Sequence, residues 1–519
     1  MFAATPDDLL ASYHFVGAAN LAKNTNATKL KEIWALPETA QFRGDVLQKL
    51  AGASLKYLGA DSGNARQVAL ARPLFDDLLR VESQAELRGK TNSGAEFILA
   101  ARLSEERSKL WETNLLQLAK ASKPQLTKMD EISGWQAKAG ANFLKFFRAE
   151  KWTVIVLGPE QSPAQSDFLK RLQKQPANSP SQEWLAVDVD WPRLTPRFPL
   201  DKYPLKLART ELRVTGKGEN LRTTVRAIYP DKIDWKSQGW QIPKELIRDP
   251  LISFSAGQKL APFLNSPKVF ERLSFNPLTN QFFFWAQSQM PFQSYVALPV
   301  KDPTNTMRAF APQIVTAFND DLKRREGGEL RMASNRVDLF WHELPIIVPF
   351  LQTAKEKNGA GFLLGGLFPI APNTNLPPSE LFGQVSNHND LVYYDWEITQ
   401  ERLSQWMILG QLLPLFPREP IVSTNAALRK GFVPAKVPEH KWLAAIAPKL
   451  GNTITEITFK APNELNLVRK SHLGLNSIEL VLLSHWLAGP NFPSTNNSSA
   501  APMARPALDA PRRGRPERP

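Results

Sequence analysis

The chain has 519 residues, with 64 Lys and Arg against 50 Asp and Glu for a formal net charge of +14, and it contains no cysteine. A disulfide framework, a thiolate metal site and a cysteine nucleophile are therefore excluded. The length predicts two or three domains rather than one core. No stretch holds eighteen consecutive apolar residues, so no transmembrane helix is predicted.

The first ten residues carry no basic n-region and no apolar h-region, so they do not form a signal peptide. They lead almost at once into an apolar strand that runs into a helix start, Ser12–Asn20. That is how a mature domain begins, and it suggests a leader upstream of Met1. Helical spacing follows over Thr28–Leu58, interrupted at Pro37, and over Asn64–Leu79. The strand–helix unit recurs at Glu96–Leu110. There Phe97–Ala101 reads as a strand buried on both faces, Ser104 as an N-cap, and Glu105 and Glu106 suit the positive end of the helix dipole. It recurs again at Trp184–Leu194, with Asp190 as the cap and Pro192 two residues on. Arg209–Val214 and Leu221–Tyr229 flank a Gly-containing loop and predict a hairpin.

Beyond Pro230–Pro250, a stretch with four prolines or glycines at its turns, the same vocabulary returns. Strand–helix units appear at Leu251–Leu264, at Tyr295–Phe310, where Asp302-Pro303 marks the helix start, and at Leu391–Met407, where Thr399 is read as the cap. Hairpins are predicted for Phe282–Gln287 with Phe292–Leu298, Leu330–Met332 with Val337–Trp341, and Ile454–Lys460 with Glu464–Lys470. Gly359–Gly366 reads as a glycine-flanked buried strand. The six units do not match in sequence, so they imply a common topology rather than a repeat of fixed period. The expected fold class is α+β, with mixed, largely antiparallel sheets in two similar-sized halves. The expected domains are 1–240 and 241–489, with a weaker break at Pro414–Pro438 and a disordered Pro- and Arg-rich tail over 490–519.

Chemistry is harder to find. The six histidines, His14, His342, His388, His440, His472 and His485, have no metal-ligand spacing. His388-Asn389-Asp390 reads as turn chemistry, and His342-Glu343 as a packed or hydrogen-bonded pair. Asp188 and Asp190 share one face of a strand; they read as a solvated face plus a helix cap rather than a cation site. No nucleophile elbow, P-loop or dinucleotide fingerprint occurs. Leu473–Val481 resembles the carrier-protein motif in which a serine at a helix start receives phosphopantetheine. Here Asn476 stands where carriers have Asp, and it is better explained as an N-cap. No catalytic, cofactor-binding or metal residue is nominated, and no cofactor is expected.

The strand–helix units, Leu251–Leu264 and Leu391–Met407 above all, give Asp7–Gly489 a resemblance to uncharacterised bacterial envelope-type proteins, usually exported, built from successive strand-then-helix units with hairpins. That family has no assigned chemistry, so the resemblance implies a setting rather than a mechanism. The expectation is a non-enzymatic, envelope-associated structural or binding protein of unknown ligand. It would be periplasmic or extracellular if a leader precedes Met1, and cytoplasmic otherwise. The partner would be a protein or an anionic surface, not nucleic acid, because the 14 Trp and 29 Phe follow core patterns and no nucleic-acid module is present. The alternatives are a hydrolase assembled from distant residues around His342 or His388, and a binder of anionic polymer through a basic surface.

Overall fold

The computed structural model describes residues 8–57, 64–89, 95–121, 126–128, 134–139, 142–174, 183–195, 206–259, 280–288, 293–324, 327–333, 337–344, 347–368, 375–412, 438–489 and 492–493. The first half begins with β1 (Leu9–Phe15), α1 (Ala18–Lys23), α2 (Thr28–Trp34), α3 (Pro37–Tyr57), α4 (Ala65–Arg80), β2 (Ser83–Arg88), β3 (Glu96–Ala101) and α5 (Glu105–Ala121). It continues with β4 (Leu126–Lys128), β5 (Gly134–Ala139), β6 (Asn142–Ala149), β7 (Trp152–Gly158), α6 (Pro163–Lys174), β8 (Leu185–Asp190), α7 (Trp191–Leu194), β9 (Arg209–Lys217) and β10 (Asn220–Ile228). The second half opens with β11 (Leu251–Gln258), β12 (Gln281–Gln287), β13 (Ser294–Pro299), α8 (Pro303–Arg324), β14 (Glu329–Met332), β15 (Leu339–His342), β16 (Phe350–Lys355) and β17 (Gly361–Gly366). It ends with α9 (Ser379–Ser386), β18 (Leu391–Ile398), α10 (Thr399–Leu412), α11 (Pro438–Ile446), β19 (Asn452–Ala461), β20 (Glu464–Ser471) and α12 (Ser477–Ala488). The class is α+β, as the sequence predicts.

Among the described residues the strands form one open sheet, antiparallel at every pairing, in the order β4-β5-β6-β7-β3-β2-β1-β8-β9-β10-β20-β19-β18-β11-β12-β13-β17-β16-β15-β14. The order is a palindrome. Each half lays down ten strands in the same sequence of positions, and the halves meet where their last strands, β10 and β20, pair from Leu221↔Ser471 to Ile228↔Glu464. A β-bulge recurs at the matching place, with Leu10 extra in β1 against β2 and Ile252 extra in β11 against β12. The six strand–helix units of the sequence are thus three pairs of equivalents, led by β1 and β11, β3 and β13, and β8 and β18. The sequence predicts mixed, largely antiparallel sheets in two halves; the strands of the two halves are antiparallel throughout, and the β10–β20 ladder joins them into one sheet.

Local signals explain most element starts. Asn64 caps α4 by accepting from the backbone N–H of Arg66 and Gln67 at 3.1 and 3.2 Å. Ser104 Oγ accepts from Arg107 N at 3.3 Å, and Asp302 Oδ1 from Asn305 N at 3.0 Å. Pro37 opens α3, where its missing N–H costs no bond. Thr399 departs from expectation. It is the first residue of α10, and its hydroxyl lies 2.7 Å from that of Thr453. Phe97 departs too: it is 38 % exposed, although its run reads as doubly buried. The helix half of Leu251–Leu264, the break at 414–437 and the tail, apart from Phe492 and Pro493, lie outside the described residues.

One face of the sheet carries helices from both halves. Ile33 of α2, with Leu36 and Phe42, packs among Leu403 of α10, Trp442, Leu443 and Ile446 of α11 and Leu480 of α12. The Phe42 and Trp442 rings stack at 4.6 Å, and Trp442 Nε1 donates to Thr39 Oγ1 at 3.1 Å. On the opposite face α6 covers Ile98, Ala100 and Val156 of the first half. There α9 and Trp240–Ile247 cover an aromatic core of Phe254, Phe283, Trp285 and Tyr394 in the second.

Trp442→Ala should lower unfolding free energy by about 3–5 kcal/mol through the cavity it leaves between the halves. Trp442→Phe, which keeps the stack, should cost about 1 kcal/mol for the hydrogen bond. Urea denaturation of both variants measures the difference.

Candidate functional site

Aligning the halves on their bulges matches Phe97, Leu99 and Ile155 of the first to Ser294, Val296 and Gly365 of the second. The second half thus has the smaller side chain at each of these three floor positions. It also has a 14-residue helix, α10, where the first half has the four-residue α7. A small floor beneath a long helix leaves a cleft of about 410 Å³. Phe284, Ser294, Val296, Leu351 and Gly365 line its sheet side, and Arg402, Gln405, Trp406 and Leu409 of α10 its helix side. Gly366 is required at its edge, since a Cβ there would lie 2.7 Å from ring atoms of both Phe350 and Tyr295.

Arg402 is the one charged residue of that lining, and it is 4 % exposed. Its Nη1 donates to Gln405 Oε1 at 2.7 Å and to Ser294 Oγ at 3.3 Å. Gln405 is itself held by donating from Nε2 to the carbonyl of Gln287 at 2.9 Å. The guanidinium carbon lies 4.6 Å from the Trp406 ring centroid and 5.4 Å from that of Phe284, so aromatic rings stabilise the cation. Nη2 is buried and has no partner among the described residues. Burial pushes the Arg402 pKa down to about 10, partly offset by Glu397 and Asp395, so the group stays cationic at neutral pH.

Those two carboxyls sit on β18, buried beneath α10 and α12. Asp395 Oδ1 accepts from Ser255 Oγ at 2.6 Å. Glu397 accepts from the backbone N–H and the hydroxyl of Ser477, both at 2.7 Å, and so sits at the N-terminus of α12 where the helix dipole favours negative charge. Burial holds both groups above the ordinary carboxylate range against these hydrogen bonds. The look-alike of a carrier motif is resolved here. Asn476 and Glu479 form a reciprocal capping box, and Ser477 is fully buried against Glu397, out of reach of a prosthetic group.

The residues weighed in the sequence lie elsewhere and are not brought together with the cleft. His342 ends β15 beside Phe340, and His388 is exposed in the turn before β18. Asp188 takes the guanidinium of Arg213 at 2.6 and 3.1 Å, and Asp190 caps α7 through Arg193 N at 3.2 Å. His14 Nε2 lies 3.1 Å from Glu82, and His472 Nδ1 2.8 Å from the Lys449 carbonyl. The side chain of His440 lies outside the described residues. Sequence reasoning missed Arg402, Gln405 and Ser294. The available signal was an arginine in the apolar helical run of Leu403, Trp406 and Met407, directly after a strand carrying two carboxylates on one face.

A wider groove of about 1600 Å³ lies between Trp240–Glu245, Lys301–Phe310 and Glu356–Gly361. Its acidic groups already serve the backbone: Glu356 accepts from Glu245 N at 2.6 Å and Glu245 from Lys357 N at 3.0 Å.

No family model and no curated protein matches the chain. Two solved structures of the Treponema protein TP0453 are similar to part of it. Crystal form III matches at 14% identity and TM-score 0.25, over 45% of this chain and 84% of that one. Form I matches at 12% and 0.22, over 43% and 76%. Likeness at that level supports neither a fold assignment nor a function.

A carboxyl whose folded pKa is raised contributes stability that is present below its unfolded pKa and is lost as pH rises through the raised value. Wild type should therefore lose stability relative to Asp395→Asn as pH climbs from the ordinary carboxylate range to neutrality. Urea unfolding of both proteins at pH 5 and pH 8 reads this, and a wild type that gains stability relative to Asp395→Asn between the two would contradict it. Ser477→Ala, which removes a bond to a buried carboxyl, should cost about 1.5–3 kcal/mol at constant pH.

Proposed function

We propose that the protein is a non-enzymatic binding protein of the bacterial envelope, and that it takes a small, largely apolar molecule in the cleft beneath α10. The observation that carries this reading is the cleft itself. It is apolar on most of its surface, has a few convergent polar groups at one end, and has the volume of a small-molecule site. The lining polar groups suit binding rather than turnover. Arg402, Gln405 and Ser294 bond to one another, and no histidine borders the cleft among the described residues. The Ser255–Asp395 and Ser477–Glu397 pairs, each a hydroxyl beside a carboxyl, are buried in the core. The envelope setting rests on the sequence, since a cysteine-free chain suits an oxidising compartment. Residues 1–240 and 241–489 are proposed as its two α+β domains, a division supported by the ten-strand order that each contains.

Nile red, an uncharged apolar dye, tests the reading. The full chain should bind it saturably at one site. Val296→Trp and Leu409→Trp, which fill the cleft from the sheet and from the helix, should each weaken binding at least tenfold while moving the Tm by no more than about 4 °C. Absence of saturable binding, or binding by both variants as tight as that of wild type, would refute it.

A further inference from the structure

We infer that the cleft is built for a single-chain amphiphile with an anionic head group, seated head-first at the guanidinium of Arg402. This rests on the reading of the cleft as a ligand site and adds the ligand's chemistry. Arg402 is 4 % exposed, yet only one of its terminal nitrogens is used: Nη1 is bound by Gln405 and Ser294, and Nη2 has no partner among the described residues. The guanidinium carbon lies over the rings of Trp406 and Phe284, and the N–H donors of the group lie along its edge. An edge-on guanidinium is the geometry that receives carboxylate or phosphate oxygens.

A buried cation with an open donor is costly to maintain unless something completes it. The nearby carboxyls favour the cation electrostatically but hydrogen-bond to other groups, Asp395 Oδ1 to Ser255 and Glu397 to Ser477. Away from Arg402 the lining is Phe284, Val296, Leu351, Trp406 and Leu409, which offers a tail only apolar contact. Charge at one end and hydrocarbon along the rest define an alkyl chain with an anionic terminus. The duplication supplies an internal contrast. In the first half the equivalent floor carries Phe97 and Ile155, and Leu194 of α7 stands at the position of Arg402.

The test is displacement of Nile red from the full chain by four twelve-carbon probes below their micelle concentrations: dodecanoate, dodecyl phosphate, dodecanol and dodecyltrimethylammonium. At least one anion should bind tenfold or more tighter than dodecanol, and the ammonium should be weakest. Whichever anion is tighter identifies carboxylate or phosphate as the preferred head. Arg402→Met should retain Nile red binding and bring the anions to the affinity of dodecanol. Gln405→Glu supplies Arg402 with an internal carboxylate and should reduce the anion preference in the same direction, without removing the arginine. If dodecanol and both anions bind alike in wild type, or if Arg402→Met and Gln405→Glu keep the preference, the anionic head is wrong although the cleft still binds apolar molecules. If Nile red itself does not bind, the site reading fails and this inference with it.

Discussion

The ladder between β10 and β20 is the contact on which the architecture depends. Each strand closes its own half, and each is the partner of the other over eight residue pairs. Because an antiparallel pair has a local two-fold axis, pairing equivalent strands turns two copies of one topology into a palindromic sheet. That symmetry also places the helices inserted after β1 and those inserted after β18 on one face, where Phe42, Trp442, Leu403 and Leu480 interlock. The sheet joins the halves through backbone bonds; the helix layer joins them through side-chain packing.

Within this shared frame the halves diverged face by face. On the side of α6 and α9, the second half buries Phe254, Phe283, Trp285 and Trp396 at the places where the first has Ser12, Gln84, Glu86 and Asp188. The charges of the first half pair with one another, Glu86 with Arg88 of its own strand and Arg171 of α6, and Glu211 with Arg209 of its own strand and Arg226 of β10. On the other side, two small residues in the floor and one long helix create the cleft. Neither divergence changes the strand order, because alternation lets one face of a strand vary while the other keeps its packing.

Much of the fold was legible because its signals are local. Asp190, Asp302, Asn64, Ser104 and Asn476 each announce a helix within four residues, and the hairpins at 209–229 and 454–470 carry their turns between them. The strand order was not legible. It depends on which distant edges meet, and the units that match in space, such as Trp184–Leu194 and Leu391–Met407, share almost no sequence. The cleft was hidden for the same reason. Phe284, Ser294, Gly365 and Arg402 come from four elements across more than a hundred residues and form no motif. Asp395 and Glu397 did lie in plain view on an alternating strand. Their fate, Asp395 bonded to Ser255 and Glu397 capping a helix that starts eighty residues later, could be read only from packing.

The duplication also settles a problem of solubility. A lone ten-strand sheet of this topology would end in a nine-residue strand with an unsatisfied row of peptide groups, a template for indefinite association. Joining two copies buries both such strands against each other. What is left at the margins, among the described residues, is β4 and β14, of three and four residues. These rims are short and carry Lys128 on one side and Glu329 and Arg331 on the other, so they offer another chain little to extend. Pairing the two halves through their last strands gives a chain whose sheet ends on short rims.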